Sequence, residues 1–169
     1  MENSVIENMM TRTSVRKFKS TPVEKEKIEA ILHAGMAAPS AVNKQPWHFM
    51  VVTDPNILDK IEQYRSPLAI VVCGDMNKLV SMGKEWWIID ASLASENMLL
   101  AAHSLGLGSI WTALYPLQDY MLNASAMLHL PDNIVPLNVL IFGYPDLNPQ
   151  PKNKWNPDNV SYNTYGNKE

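Results

Sequence analysis

The chain has 169 residues, 46% of them hydrophobic and 18% charged, with a net charge of −3. That length suits one domain, residues 1–169, with a sizeable core, and the composition excludes a disordered chain. The mild acidity gives no overall attraction to nucleic acid or to an anionic membrane, so neither is expected as a partner.

Charge is informative only locally. Arg12, Arg16, Lys17, Lys19, Lys25 and Lys27 crowd the start, and no Lys or Arg occurs between Lys84 and Lys152. The single cysteine, Cys73, sits in the apolar run Leu68 to Cys73, which reads as a buried strand thiol and rules out an internal disulfide. The start, MENSVIENMMTRTS, carries acidic residues where a signal peptide needs basic ones. No apolar run reaches membrane-spanning length, so the expected compartment is the cytoplasm.

In chain order, residues 2–10 form a short helical candidate. A firmer helix is expected over Pro22 to Met36, with Thr21 as N-cap, Pro22 at the first helical position, and Ile28, Ile31 and Leu32 at helical spacing. The loop APSAVNKQPW (Ala38 to Trp47) follows. His48 to Thr53 reads as a strand, Pro55 to Tyr64 as a helix and Pro67 to Cys73 as a buried strand. Lys84 to Leu105 is the longest helix, apolar or small on nearly every side and therefore expected to be buried almost all round. Gly106 and Gly108 supply its cap and a turn into a strand at Ser109 to Leu114. A helix from about Leu117 to Leu128 and a strand from Val135 to Phe142 close the pattern. Irregular alternation of these elements predicts an α+β sandwich with helices on a central sheet. The segment Asn148 to Glu169 is polar, yet it carries Trp155, Tyr162 and Tyr165, whose rings favour burial. It is expected to wrap over a surface such as a second subunit.

Several familiar chemistries lack their residues. No Walker A, HExxH, GxSxG or CxxC occurs. Gly106-Leu107-Gly108 leads from helix into strand and has Trp111 where a dinucleotide fingerprint needs its third glycine. His33 and His103 have no ligand partner at helical spacing, so they read as structural and no metal site is expected.

Two stretches do carry chemistry. In an extended Arg12-Thr13-Ser14-Val15-Arg16, residues 12, 14 and 16 share one face, so two guanidinium groups and a hydroxyl can converge on one anion such as a phosphate. Solvated basic surface is the competing reading of that cluster, as it is of Lys152 and Lys154. In the loop, Pro39 and Pro46 stiffen the backbone while Ser40, Asn43 and Gln45 offer donors and acceptors, a rim suited to a flat heterocycle.

The motifs TRTSVRKF (Thr11 to Phe18), APSAVNKQPWHFMVV (Ala38 to Val52), DASLASENMLLAAHSLGLGSIW (Asp90 to Trp111) and FGYPDLNPQPKNKW (Phe142 to Trp155), in that order, resemble the nitroreductase family of flavin-dependent oxidoreductases. The resemblance runs from Thr11 to about Asn163. It implies a nitroreductase-like α/β/α sandwich with a mainly antiparallel sheet and a long central helix. It also implies a homodimer with FMN at two sites shared between subunits, the C-terminal tail reaching the partner. Arg12 and Ser14 would then fall at the FMN phosphate together with Lys152 and Lys154, Thr13 would also bind the cofactor, and Arg16 would lie near the pyrimidine edge of the ring. Pro39, Ser40, Ala41 and Asn43 would reach the flavin of the other chain, Gln45 would also bind the cofactor, and backbone N–H groups around Ala113 and Leu114 would face N5 and O4. FMN would carry the redox chemistry, so no catalytic side chain is expected. The implied activity is ping-pong reduction of small acceptors, such as nitroaromatics or quinones, by NADH or NADPH. A flavin-binding protein without turnover, a carrier or sensor, is the alternative. Two departures stand out: typical members have an acidic residue where Ala113 stands, and little room remains between Lys60 and Trp86 for the helical excursion many of them carry. Trp86, Trp87, Trp111 and Tyr115 are candidates for the pocket, with core packing the competing role.

Overall fold

The computed structural model describes residues 4–147 and 149–168. The first two residues of the expected N-terminal helix, and the ends of the tail, Asn148 and Glu169, lie outside the described residues. The elements are α1 (Ser4–Thr11), α2 (Lys25–Met36), β1 (Trp47–Val52), α3 (Pro55–Ile61), β2 (Leu68–Asp75), α4 (Trp86–Ser104), β3 (Gly108–Ala113), α5 (Gln118–Met127) and β4 (Ile134–Gly143).

Side chains alternate across a strand, so an unbroken apolar run must be covered on both faces. In β2, Leu68, Ile70 and Val72 face one apolar cluster and Ala69, Val71 and Cys73 the other. α2 and α4 cover the first face, α3 and α5 the second. The sheet has the order β1-β2-β4-β3 and every pair is antiparallel. This is the expected α+β sandwich. Among the described residues, no helix is long and apolar enough to cross a membrane.

One irregularity in the sheet positions the later chemistry. Val72 stands opposite Asn138 but Cys73 opposite Pro136, which leaves Leu137 as an extra residue in β4. Its carbonyl accepts from both Leu114 N (3.0 Å) and Tyr115 N (2.9 Å), so this bulge terminates β3.

Two expectations are corrected. α2 starts at Lys25 with Glu24 as its N-cap residue, three positions after the expected start. The Glu24 carboxylate accepts from Tyr144 Oη at 2.7 and 2.8 Å, and Lys27 Nζ donates to the same hydroxyl at 2.7 Å. This tertiary clamp, to the residue just after β4, overrides the local capping signal at Thr21. The long helix is buried along Trp87, Ala91, Ala94, Met98 and Ala102, but it is not buried all round. Trp86, Ile89 and Leu93 are 38%, 59% and 42% exposed, an apolar stripe left open among the described residues.

Candidate functional site

The first part of the site is the segment from Arg12 to Arg16. Val15 N donates to Ser109 O at 2.9 Å, and Ser14 and Ser109 form a parallel bridge. The segment therefore runs as a short extra strand along the outer edge of β3. Gly108 permits that approach: a Cβ there would lie 2.8 Å from Val15 Cβ. With Val15 only 5% exposed, the segment is anchored, and its polar neighbours are left to face outward.

Those neighbours meet the tail. Thr13 Oγ1 donates to Pro149 O at 3.3 Å, tying the segment to the stretch that carries Lys152 and Lys154. Arg12, Thr13, Ser14, Arg16, Lys152 and Lys154 line one cleft of about 710 Å³. One carboxylate shares it: Glu96 Oε1 lies 3.6 Å from Arg12 Nε. Four cations against one carboxylate leave the cleft strongly positive, which suits a multiply charged anion such as a phosphate monoester. The two basic groups, more than a hundred residues apart in the chain, are thus brought together.

Behind the cleft, Thr11 Oγ1 donates to Glu7 O at 2.7 Å, so the 2.9 Å contact with His103 Nε2 has the imidazole as donor. Burial, and secondarily the Arg12 charge, lower the His103 pKa from its ordinary 6.5, in keeping with a neutral structural histidine. Cys73 is structural too, its thiol pushed up to about 12 by burial.

The second part is the end of β3. Ser109 turns its carbonyl to the outer edge, where Val15 takes it, and Leu114 turns its N–H inward to Leu137 O. By alternation, Trp111 and Ala113 direct their N–H and C=O outward, beyond the stretch that residues 14 and 15 cover. Ala113 is exposed there, beside a pocket of about 370 Å³ that Gln63 and Asn123 help to line. The expectation for Leu114 is corrected: its N–H is engaged within the sheet, and only Ala113 remains as the donor. Parity along the strand is the physical reason.

The third part is the loop before β1. Ser40 Oγ accepts from Gln45 N at 3.0 Å, and Gln45 Nε2 donates to Asn43 Oδ1 at 3.2 Å. Val42, Asn43 and Gln45 all have left-handed backbone, with φ of 44°, 54° and 49°. Pro39, Ser40, Ala41, Asn43 and Gln45 do not line the basic cleft of their own chain. Ala41 N donates to Asp90 Oδ1 at 3.0 Å. Sequence reasoning missed Asp90 and Glu96. The signal available for Asp90 was a lone carboxylate within the otherwise uncharged run 86–95.

Of the four candidate aromatics, Trp87 is buried edge-on to Tyr115 at 5.5 Å, and Trp111 packs on the same cluster. These three serve the core, and Trp86 stays at the surface.

An extended basic strand on the edge of an antiparallel sheet, flanked by a long central helix, defines a fold class with known representatives. The profile of the nitroreductase family matches residues 9–71 and 64–144, and the chain belongs to that family. A relative in Methanothermobacter thermautotrophicus, named as an inferred NADH dehydrogenase/NAD(P)H nitroreductase, is 40% identical over 164 residues, covering 92% of this chain and 85% of its own. The crystal structure of a Parabacteroides distasonis protein with the same inferred name superposes with a TM-score of 0.90 at 46% identity, over 97% of this chain and all of that one. An FMN-dependent nitroreductase from Clostridium difficile gives 0.87 at 31% identity, over 95% of this chain and 99% of that one.

Proposed function

We propose that this protein is an FMN-dependent NAD(P)H oxidoreductase, working as a homodimer whose two subunits share each flavin site. The observation that carries the reading is the convergence of Arg12, Ser14 and Arg16 with Lys152 and Lys154 in one cleft. The residues fit the cofactor. The cleft has charge for a phosphate, and the outward N–H of Ala113 offers a donor to a heterocycle lying along the edge of β3. Bound there, FMN would supply the redox chemistry that links NADH or NADPH to a small acceptor such as a nitroaromatic or quinone, in alternating half-reactions.

The chain's own groups bind and orient. Arg12, Thr13, Ser14, Lys152 and Lys154 hold the phosphate. Arg16 would place its positive charge at the pyrimidine edge of the ring, where it would favour the negatively charged reduced form. Pro39, Ser40, Ala41, Asn43 and Gln45 complete the ring site from the other subunit. The exposed stripe Trp86, Ile89 and Leu93, and the exposed tail residues Trp155, Tyr162 and Tyr165, supply apolar surface for that second copy to cover.

The test is the visible spectrum of the purified protein, followed under nitrogen as NADPH or NADH is added. Bleaching of the flavin band near ~450 nm is expected of a cofactor that carries the redox step. A flavin spectrum that stays unbleached with both donors leaves a flavin carrier, and no flavin after reconstitution sinks the assignment. Parallel double-reciprocal plots at varied acceptor are expected for alternating half-reactions; converging lines would exclude them.

A further inference from the structure

We infer that Asp90 is a positioning residue for the flavin site: its carboxylate holds the loop of residues 40–45 in a strained shape that aims the loop's polar groups at the ring. The inference rests on the FMN reading above and deepens it.

Asp90 lies in α4 and is 5% exposed. Ala38 and Trp47, at the two ends of the loop, pack with Ala94, one turn on from Asp90 in α4, as a small apolar cluster. Among the described residues no cation pairs with it, and its Oδ1 accepts the N–H of Ala41 at 3.0 Å. A carboxylate at this place in α4 calls for a use for that bond.

The loop supplies one. Ala41 opens the turn Ala41–Asn43, and the first N–H groups of such a turn have no partner within it. Val42 follows with φ 44° and ψ 31°, a region that a β-branched side chain strongly disfavours. Asn43 and Gln45 are left-handed as well. The bonds from Gln45 N to Ser40 Oγ and from Gln45 Nε2 to Asn43 Oδ1 lie inside the loop and cannot fix it to the body of the protein. At its far end the loop is tied by Asp75 N to Pro46 O at 2.6 Å and by Lys78 Nζ to Gln45 O at 3.4 Å. Asp90 is the buried fastening at its near end. Without that acceptor, Val42 relaxes toward ordinary backbone and the polar rim turns with it.

The experiment compares FMN and riboflavin binding, read by quenching of flavin fluorescence, in the wild type, Asp90→Ala, Asp90→Asn and the double variant Asp90→Ala with Val42→Gly. Asp90→Ala is expected to weaken both flavins equally, by about tenfold or more, the scale of one lost hydrogen bond to a charged group. Its melting temperature should not fall in step. Asp90→Asn keeps an acceptor and should recover most of the affinity. Val42→Gly removes the strain and should recover it without any acceptor. Wild-type affinity in Asp90→Ala, or a loss that follows the melting temperature and that neither second variant repairs, overturns the inference. Amide exchange at residues 41–45 separates this outcome from a failure of the cofactor reading. If the wild type binds no flavin yet Asp90→Ala speeds exchange there, the FMN assignment falls and the hold on the loop stands; unchanged exchange refutes the hold itself.

Discussion

The two halves of the proposed site are built in opposite ways. The phosphate half uses long charged side chains from both ends of the chain, with Arg12, Lys152 and Lys154 around one cleft and Arg16 reaching from it toward the ring. The ring half uses backbone: an outward N–H at Ala113 and a loop of left-handed residues fastened at Asp90. Charge-based binding tolerates small displacements and weakens with salt, whereas backbone-based binding depends on shape and is indifferent to ionic strength. Binding and orientation of one ligand can thus be tuned separately.

The largest expected effect separates the halves most sharply. Arg12→Ala should weaken FMN by about 30- to 100-fold through loss of charged hydrogen bonds, and riboflavin, which lacks the phosphate, hardly at all. Equal losses for both flavins would erase the distinction. Removing the tail cations with Lys152→Ala and Lys154→Ala should cost about tenfold in FMN affinity and flatten its salt dependence. An undiminished salt slope would place the phosphate elsewhere. Gly108→Ala attacks the scaffold instead. Its Cβ would meet Val15 at 2.8 Å and push the Arg12 to Arg16 segment off β3. A stability loss of about 1–3 kcal/mol in urea titration is expected, with weaker FMN binding alongside. Unchanged stability would show that the segment docks more loosely than its bridge to Ser109 implies.

The smallest effect concerns His103. Its folded pKa is lowered, chiefly by burial, so on acidification the unfolded chain takes up the proton first. Its contribution to stability is therefore complete above the ordinary value of 6.5 and is lost as pH falls toward the folded value. His103→Gln should remove that acid-side decline from the melting curves; an identical decline in the variant would assign it to other groups.

The same contrast explains how much could be read in advance. Charges at alternate positions of an extended segment, and two lysines isolated by a long basic-free interval, are visible in one dimension. So were the strands, because β2 is apolar on both faces and bounded by turn residues. The ring half was less legible. Whether an N–H at the end of β3 points outward depends on parity and on the bulge at Leu137, and no residue type marks either. Leu114 was misassigned for that reason. The start of α2 was displaced by a clamp to Tyr144, 120 residues away and beyond the reach of any local capping rule. The stripe on α4 was legible as apolar but not as uncovered, since periodicity cannot say whether a face is buried by its own chain or by another.

The outer edge of β3 has one more consequence. Unpaired strand edges recruit other strands, and long flat ones seed aggregation. Here residues 14 and 15 seal the beginning of the edge, and just past Ala113 the chain leaves the strand at Leu114 and reaches Pro116, which has no N–H to offer. What stays open is the backbone of Trp111 and Ala113. That length is enough to grip a small planar molecule and too short to template a neighbouring strand.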